Sequence, residues 1–183
     1  MPARPPMQQT ILALAAILAF AYLALGRQRH DNDVERRAIG VEAELAATDL
    51  AQAQMSAMER LAFDEDDTGR TGIRTVPSAA PLGPDADETD TAAYDDVDDW
   101  HGHTSIVEVP VGQGAFRYRL RVRVRYVRDR DPSQGSGNAT LTKELFVRVN
   151  EIPPAETDRP PAQAHLRRVV TPASVASYIH QGS

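Results

Sequence analysis

A chain of 183 residues with 20 lysines and arginines against 26 acids, and a formal net charge of −6, has room for one domain and an anchor but not for two full cores. As a whole it repels polyanions, so any basic function has to be local. The absence of cysteine excludes disulfide staples, thiolate zinc sites and thiol nucleophiles together.

The first element is apolar. Residues 11–25, ILALAAILAFAYLAL, form an uninterrupted apolar run closed by Gly26 and Arg27. With the neutral Gln8, Gln9 and Thr10 the run reaches the short end of the ~17–25 residues that span a bilayer. Residues 1–30 therefore read as an N-terminal segment and a single-pass transmembrane anchor. The competing reading is a signal peptide, with Arg4 in the basic region, residues 11–18 as the apolar core and Ala19-Phe20-Ala21 as a small-x-small cleavage site. A buried soluble helix is disfavoured because the run is apolar on every side and nothing else in the chain is large enough to enclose it.

No proline falls between Met7 and Val76. Residues 31–63 carry Val34, Ala38, Val41 and Leu45, then Ala51, Met55, Met58 and Ala62, each set stepping 4, 3, 4. That spacing predicts an amphipathic helix with one narrow apolar stripe, and the alanine-rich filling favours helix by propensity. Continuous from Gln8 to Ala62, it would extend roughly 80 Å.

Residues 64–103 break the periodicity with Pro77, Pro81 and Pro84 and several glycines, which marks an acidic connector. Twelve acids against Arg70 and Arg74 give it a local charge of −10. Asp64, Asp66, Thr68 and Gly69 match the start of a calcium loop, but Thr75 stands where its bidentate glutamate belongs. Asp85, Asp87 and Asp90 cluster without the glycine such a loop needs, and His101-Gly102-His103 has no further zinc ligands beside it. The expectation is a solvated acidic loop with no cofactor, calcium being the one ion these acids would suit.

Residues 104–183 read as an antiparallel β-domain with a short C-terminal helix. From Phe116 to Tyr126 the alternation is strict: Tyr118, Leu120, Val122 and Val124 share one face and Arg117, Arg119, Arg121, Arg123 and Arg125 the other. Val107, Val109 and Val111 mark an earlier strand, and Leu145, Val147 and Val149 a later one. Residues 165–171 add a fourth. The turn-rich stretch 129–139 makes the second and third strands a long-looped hairpin. Four strands bury one face only if something covers it, and the helix stripe is the available cover, an α+β layer. Thr171 as N-cap, Pro172 at the first helical position and Val175 four residues before Ile179 allow a short docking helix.

Between Ala115 and Arg130, seven arginines against Asp129 give a local charge of +6. Facing the −10 connector, these arginines read as an ion-paired or solvated face, within or between subunits. A nucleic-acid partner is disfavoured, because Tyr118 and Tyr126 lie on the apolar side and cannot interleave with the arginines as stacking platforms do. No catalytic constellation emerges: the serines lack a nucleophile-elbow context and His30, His101, His103, His165 and His180 are scattered. The chain reads as a non-enzyme.

An apolar segment runs into an amphipathic helix ending LAFDED, and a variable connector ending YDDVDDWHG leads to the arginine strand and then TKELFVRVN. This order of parts resembles the type IV pilin-like proteins, in particular the D-type minor pilin family of mannose-sensitive haemagglutinin pili, where similar FDE and DDVDDYHG stretches recur in sequence. The resemblance covers roughly residues 8–150. It implies a pilin-like α+β fold and a subunit of a type IV pilus or type II secretion-type assembly, held in the bacterial inner membrane with its C-terminal domain extracytoplasmic. The implied partners are the lipid bilayer and other pilin-like subunits, met through the N-terminal helix. Two positions depart from the family pattern. Pro6 precedes Met7 where a glycine marks the processing point, and Ile11 occupies the place of the glutamate five positions in, so the resemblance implies a minor or pilin-like subunit. The arginine count alone predicts the opposite orientation, with Arg27, Arg29, Arg36 and Arg37 following the apolar run. The alternative function is an anchored or exported envelope binding module, using the acidic loop for calcium or the arginine strand for a polyanion.

Overall fold

The computed structural model describes residues 7–63, 81–111, 114–155 and 159–172, with side chains from Ile11 on. Helix α1 spans Met7–Met58, 52 residues without a break at Gly26 or Gly40. Its end is tightened by a last turn in which Leu61 N–H donates to the Met58 carbonyl at 3.1 Å. The described chain forms two compact units, Met1–Glu42 and Ala43–Ser183.

In the first unit the apolar run of α1 is bare. The large apolar side chains from Ile11 to Leu25 are all exposed, from 51% at Leu25 to 79% at Tyr22. One helix, over Ile11–Met58, is thus long and apolar enough to cross a membrane, and none of its apolar window is buried.

The second unit is the C-terminal stretch of α1 on an antiparallel sheet. The strands are β1 (Thr104–Val111), β2 (Gly114–Arg128), β3 (Asp131–Gly135), β4 (Lys143–Glu151) and β5 (Gln163–Val170), in the order β1-β2-β4-β5 with β3 paired to β2. The arginine strand is the centre of the sheet. It pairs Leu120 with Ser105 on one side and with Val149 on the other, and β4 in turn pairs Val147 with Leu166 of β5. Period-two alternation then sorts the residues: Tyr118, Leu120, Val122, Val124, Leu145, Val147 and Val149 are buried on the inner face. Fully buried side chains of this size contribute about 1.5–3 kcal/mol each.

Three expectations are corrected. Residues 131–135, inside the expected loop, form a fifth short strand, paired to β2 across a register shift at Val127 and Arg128. The helix ends at Met58, before residue 63. The covering face of α1 is the expected one only in its last turns: Ala51, Met55 and Met58 of the expected stripe are buried, but Val34, Val41 and Leu45 are exposed, and Ala43 and Ala47 take the covering positions before Ala51. Alanine lets the helix backbone come close to the sheet, close enough for Tyr118 Oη to donate to the Ala43 carbonyl at 2.8 Å. The expected C-terminal helix lies outside the described residues beyond Pro172, as do Asp64 and Asp66.

Candidate functional site

Polar residues at inward-facing strand positions identify the groups the core has to neutralise. Among the described residues the charged ones are Lys143 and Glu151 on β4 and Arg168 on β5, and each has a partner. Arg168 reaches Glu59 at 2.5 Å and Arg159 reaches Glu151 at 2.5 Å. Glu151 also accepts from Ala162 N–H at 2.8 Å, and although burial acts to raise its pKa, these hydrogen bonds hold it below the usual range. Beside it, burial pushes the Tyr118 phenol up to about 12.

Lys143 is fully buried. Its Nζ donates to the Phe63 carbonyl at 2.5 Å and to Asp98 Oδ1 at 2.5 Å, and lies 4.5 Å from the Phe63 ring centroid and 5.3 Å from that of Tyr126. Phe63 is brought there by a bridge between Ala62 and Asp96: Ala62 N–H donates to Asp95 at 3.1 Å and Val97 N–H to Ala62 at 3.0 Å.

Asp98 belongs to an acidic turn, residues 95–99, that is folded inward. Asp96 Oδ1 accepts from the N–H groups of Asp98 (2.7 Å) and Asp99 (3.3 Å), while Asp99 Oδ2 accepts from those of Asp95 (3.1 Å) and Asp96 (3.0 Å). This is the reciprocal arrangement of a capping box, with aspartate at both ends. It places Asp96, Asp98 and Asp99 in the interior, where a solvated loop was expected. Burial, followed by the hydrogen bond and charge of Asp98, pushes the Asp96 carboxyl up to about 9, and burial pushes Asp99 up to about 7. Glu88, Asp95 and Asp99 bring one oxygen each within 4.8 Å of one another. Asp85 and Asp87 stand outside this group, exposed, with Asp85 N–H donating to Glu88 at 2.9 Å.

The turn ends against β2. Gly102, at φ 81°, turns the chain so that its N–H reaches the Val122 carbonyl at 3.2 Å, and the Val122 N–H returns to His103 at 3.0 Å. His101 Nδ1 lies 2.6 Å from the Val124 carbonyl, which can only accept, so Nδ1 carries the proton. The His101-Gly102-His103 triplet thus completes the hydrogen bonding of a strand edge. Trp100 stacks edge-on with Tyr94 (5.1 Å) and His103 (5.0 Å), and burial lowers the His103 pKa.

On the opposite face of the sheet stand the arginines. Arg117 lies 3.3 Å from Glu108, Arg125 bonds Glu144 at 2.7 and 3.0 Å, and Arg123 sits over the Phe146 ring at 5.3 Å. Arg167 of β5 also bonds Glu144. Burial would raise the Glu144 pKa, but the two guanidinium groups hold it low. Arg119 and Arg121 are exposed and have no acidic partner among the described residues, and Arg121 is paired across the ladder with Arg148. Of the five sequence-derived arginines, three are engaged and two are open. Glu144, Lys143 and Asp98 were not singled out from the sequence, although Lys143 falls in step with Leu145, Val147 and Val149, a parity that calls for a buried counter-charge. No protein-family model, curated protein or solved structure matches this chain, so the functional reading rests on these contacts and on the bare apolar helix.

Proposed function

We propose that the chain is a single-pass, pilin-like membrane subunit with a structural and interaction role in a type IV pilus or type II secretion-type assembly. In this reading the exposed apolar run of α1 sits in the inner membrane and packs on other helices of its kind, while the β-domain faces away from the cytoplasm. One observation carries most of the support. The three stretches behind the resemblance, FDE, DDVDDWHG and TKELFVRVN, supply Phe63, Asp98 and Lys143, which meet at a single buried ammonium. Motifs far apart in sequence that converge on one contact are a structural unit of the fold, which supports reading the resemblance in them as one of architecture.

The experiment is fractionation of cells expressing the tagged full chain, with determination of the mature N-terminus and capture of crosslinked neighbours. The reading expects retention in the membrane after alkaline washing and recovery of other proteins with a similar apolar helix. Release into the soluble envelope fraction with a new terminus at Tyr22, and no such neighbour, would overturn it and favour an exported binding module.

A further inference from the structure

We infer that the outer face of the sheet is a docking surface for the acidic segment of a second copy of this chain, residues 85–90 laid against Arg119, Arg121 and Arg148. Among the described residues of β1, β2, β4 and β5, the face gathers the five arginines of β2 with Arg148 and Arg167, against Glu108 and Glu144. Both glutamates are committed, Glu108 to Arg117 and Glu144 to Arg125 and Arg167. What remains is a cationic row in the middle of the sheet. Arg121 and Arg148 are direct cross-strand partners, His165 stands opposite Arg148, and no described acid lies in ion-pair range of Arg119, Arg121 or Arg148. Like charges directly opposite one another destabilise a sheet, a penalty that an apposed anionic group reverses.

Charge complementarity selects the occupant. Residues 85–90 hold four acids, of which Asp85, Asp87 and Asp90 are exposed and have no basic partner among the described residues. The segment is compact, closed by Glu88 N–H donating to the Asp85 carbonyl at 3.1 Å and by Ala92 N–H donating to Asp90 at 2.7 Å. Every copy supplies one such turn for each arginine row, so site and occupant are present in equal number. Because the two patches are different surfaces, the contact either closes reciprocally in a two-fold pair or repeats from copy to copy. It involves only residues of the β-domain and its connector, so it stands apart from the membrane reading of α1.

The cysteine-free chain makes the test direct. Full-length Ala86→Cys and Asn150→Cys proteins, in detergent micelles, are mixed and treated with a short bismaleimide. The mixture is expected to crosslink far more than either variant alone, with yield falling roughly tenfold between about 50 and 500 mM salt as screening shortens. Arg121→Glu/Arg148→Glu in the Asn150→Cys partner abolishes the product, and pairing it with an Asp85→Lys/Asp87→Lys version of the other partner restores it, which a misfolded protein could not do. Yields indifferent to salt and charge reversal overturn the inference. So does a face whose reversal removes binding to phosphatidylglycerol vesicles but leaves the crosslink unchanged. Membrane fractionation of the same variants, all with α1 intact, reports the anchor reading separately.

Discussion

Replacing Lys143 by methionine removes a buried charge while keeping the length of the side chain. The ammonium is fully enclosed and is bonded to Asp98 and to the Phe63 carbonyl, so its loss strands a largely buried carboxylate and an acceptor that has no water to turn to. Breaking a buried ion pair on one side costs about 3–5 kcal/mol, and the lost contacts to the Phe63 and Tyr126 rings add to it. The better packing of methionine offsets part of this, leaving a net loss of about 4 kcal/mol out of the ~5–15 kcal/mol typical of a domain. At a urea slope of ~1–3 kcal/mol/M this moves the midpoint down by roughly 2 M. Trp100, the single tryptophan, stacks on His103 and Tyr94 beside the acidic turn, so its fluorescence during urea titration of the full chain in micelles reads the transition. The double variant Lys143→Met/Asp98→Asn removes the stranded charge and is expected to recover at least half of the loss. A loss under about 1 kcal/mol for the single variant, or a double variant no better than the single, would refute the account of Lys143 as the neutralising centre of the turn.

Other predictions concern neighbouring groups. The Asp96 carboxyl binds its proton more tightly in the fold than in the unfolded chain, so its contribution is complete below about pH 4 and is lost as pH rises toward about 9, opposite in sign to Glu144 and Glu151, whose contribution is lost on acidification. Asp96→Asn, which keeps the acceptor for Asp98 and Asp99 and cannot ionise, is expected to flatten the alkaline decline in thermal midpoint and to melt higher than the parent at pH 8.5 to about 9; an unchanged profile would refute it. Ala47→Leu forces bulk between α1 and the sheet and is expected to cost about 1–3 kcal/mol, whereas Leu45→Ala, on the exposed side, changes urea stability by less than about 0.5 kcal/mol. Gln54 Nε2 is buried without a hydrogen-bond partner, so Gln54→Met is expected to raise stability by up to about 1 kcal/mol in the same titration.

The sheet was legible in the sequence because the arginines of β2 mark every second residue, so one strand declared its register and its wet face. β3 was not, since DPSQG has neither alternation nor apolar residues and is held only by its pairing to β2. The helix was legible as a helix, and its buried face was legible at Ala51, Met55 and Met58 but not before them. Further back, apolar size pointed to Val34, Val41 and Leu45, whereas close approach to the sheet selects alanine at 43 and 47. The acidic turn was misjudged for a different reason. Charge density argues for solvent, yet Asp96 and Asp99 satisfy four backbone N–H groups between them and Asp98 meets Lys143, which makes burial affordable. Only the parity of Lys143 hinted at this. At the arginine face, the cross-strand identity of Arg148 decides which guanidinium groups stay open, and that follows from register rather than from the motif.

The bridge between Ala62 and Asp96 gives the domain a seam. The backbone departs after Phe63 and comes back at Asp95 within one hydrogen bond of its point of exit. Whatever is threaded between those two places has its ends already held together, and lengthening such an excursion twofold costs only about 0.6 kcal/mol. An epitope, a fluorescent reporter with adjacent termini or a longer natural insertion placed between residues 64 and 80 would therefore be carried by the same core.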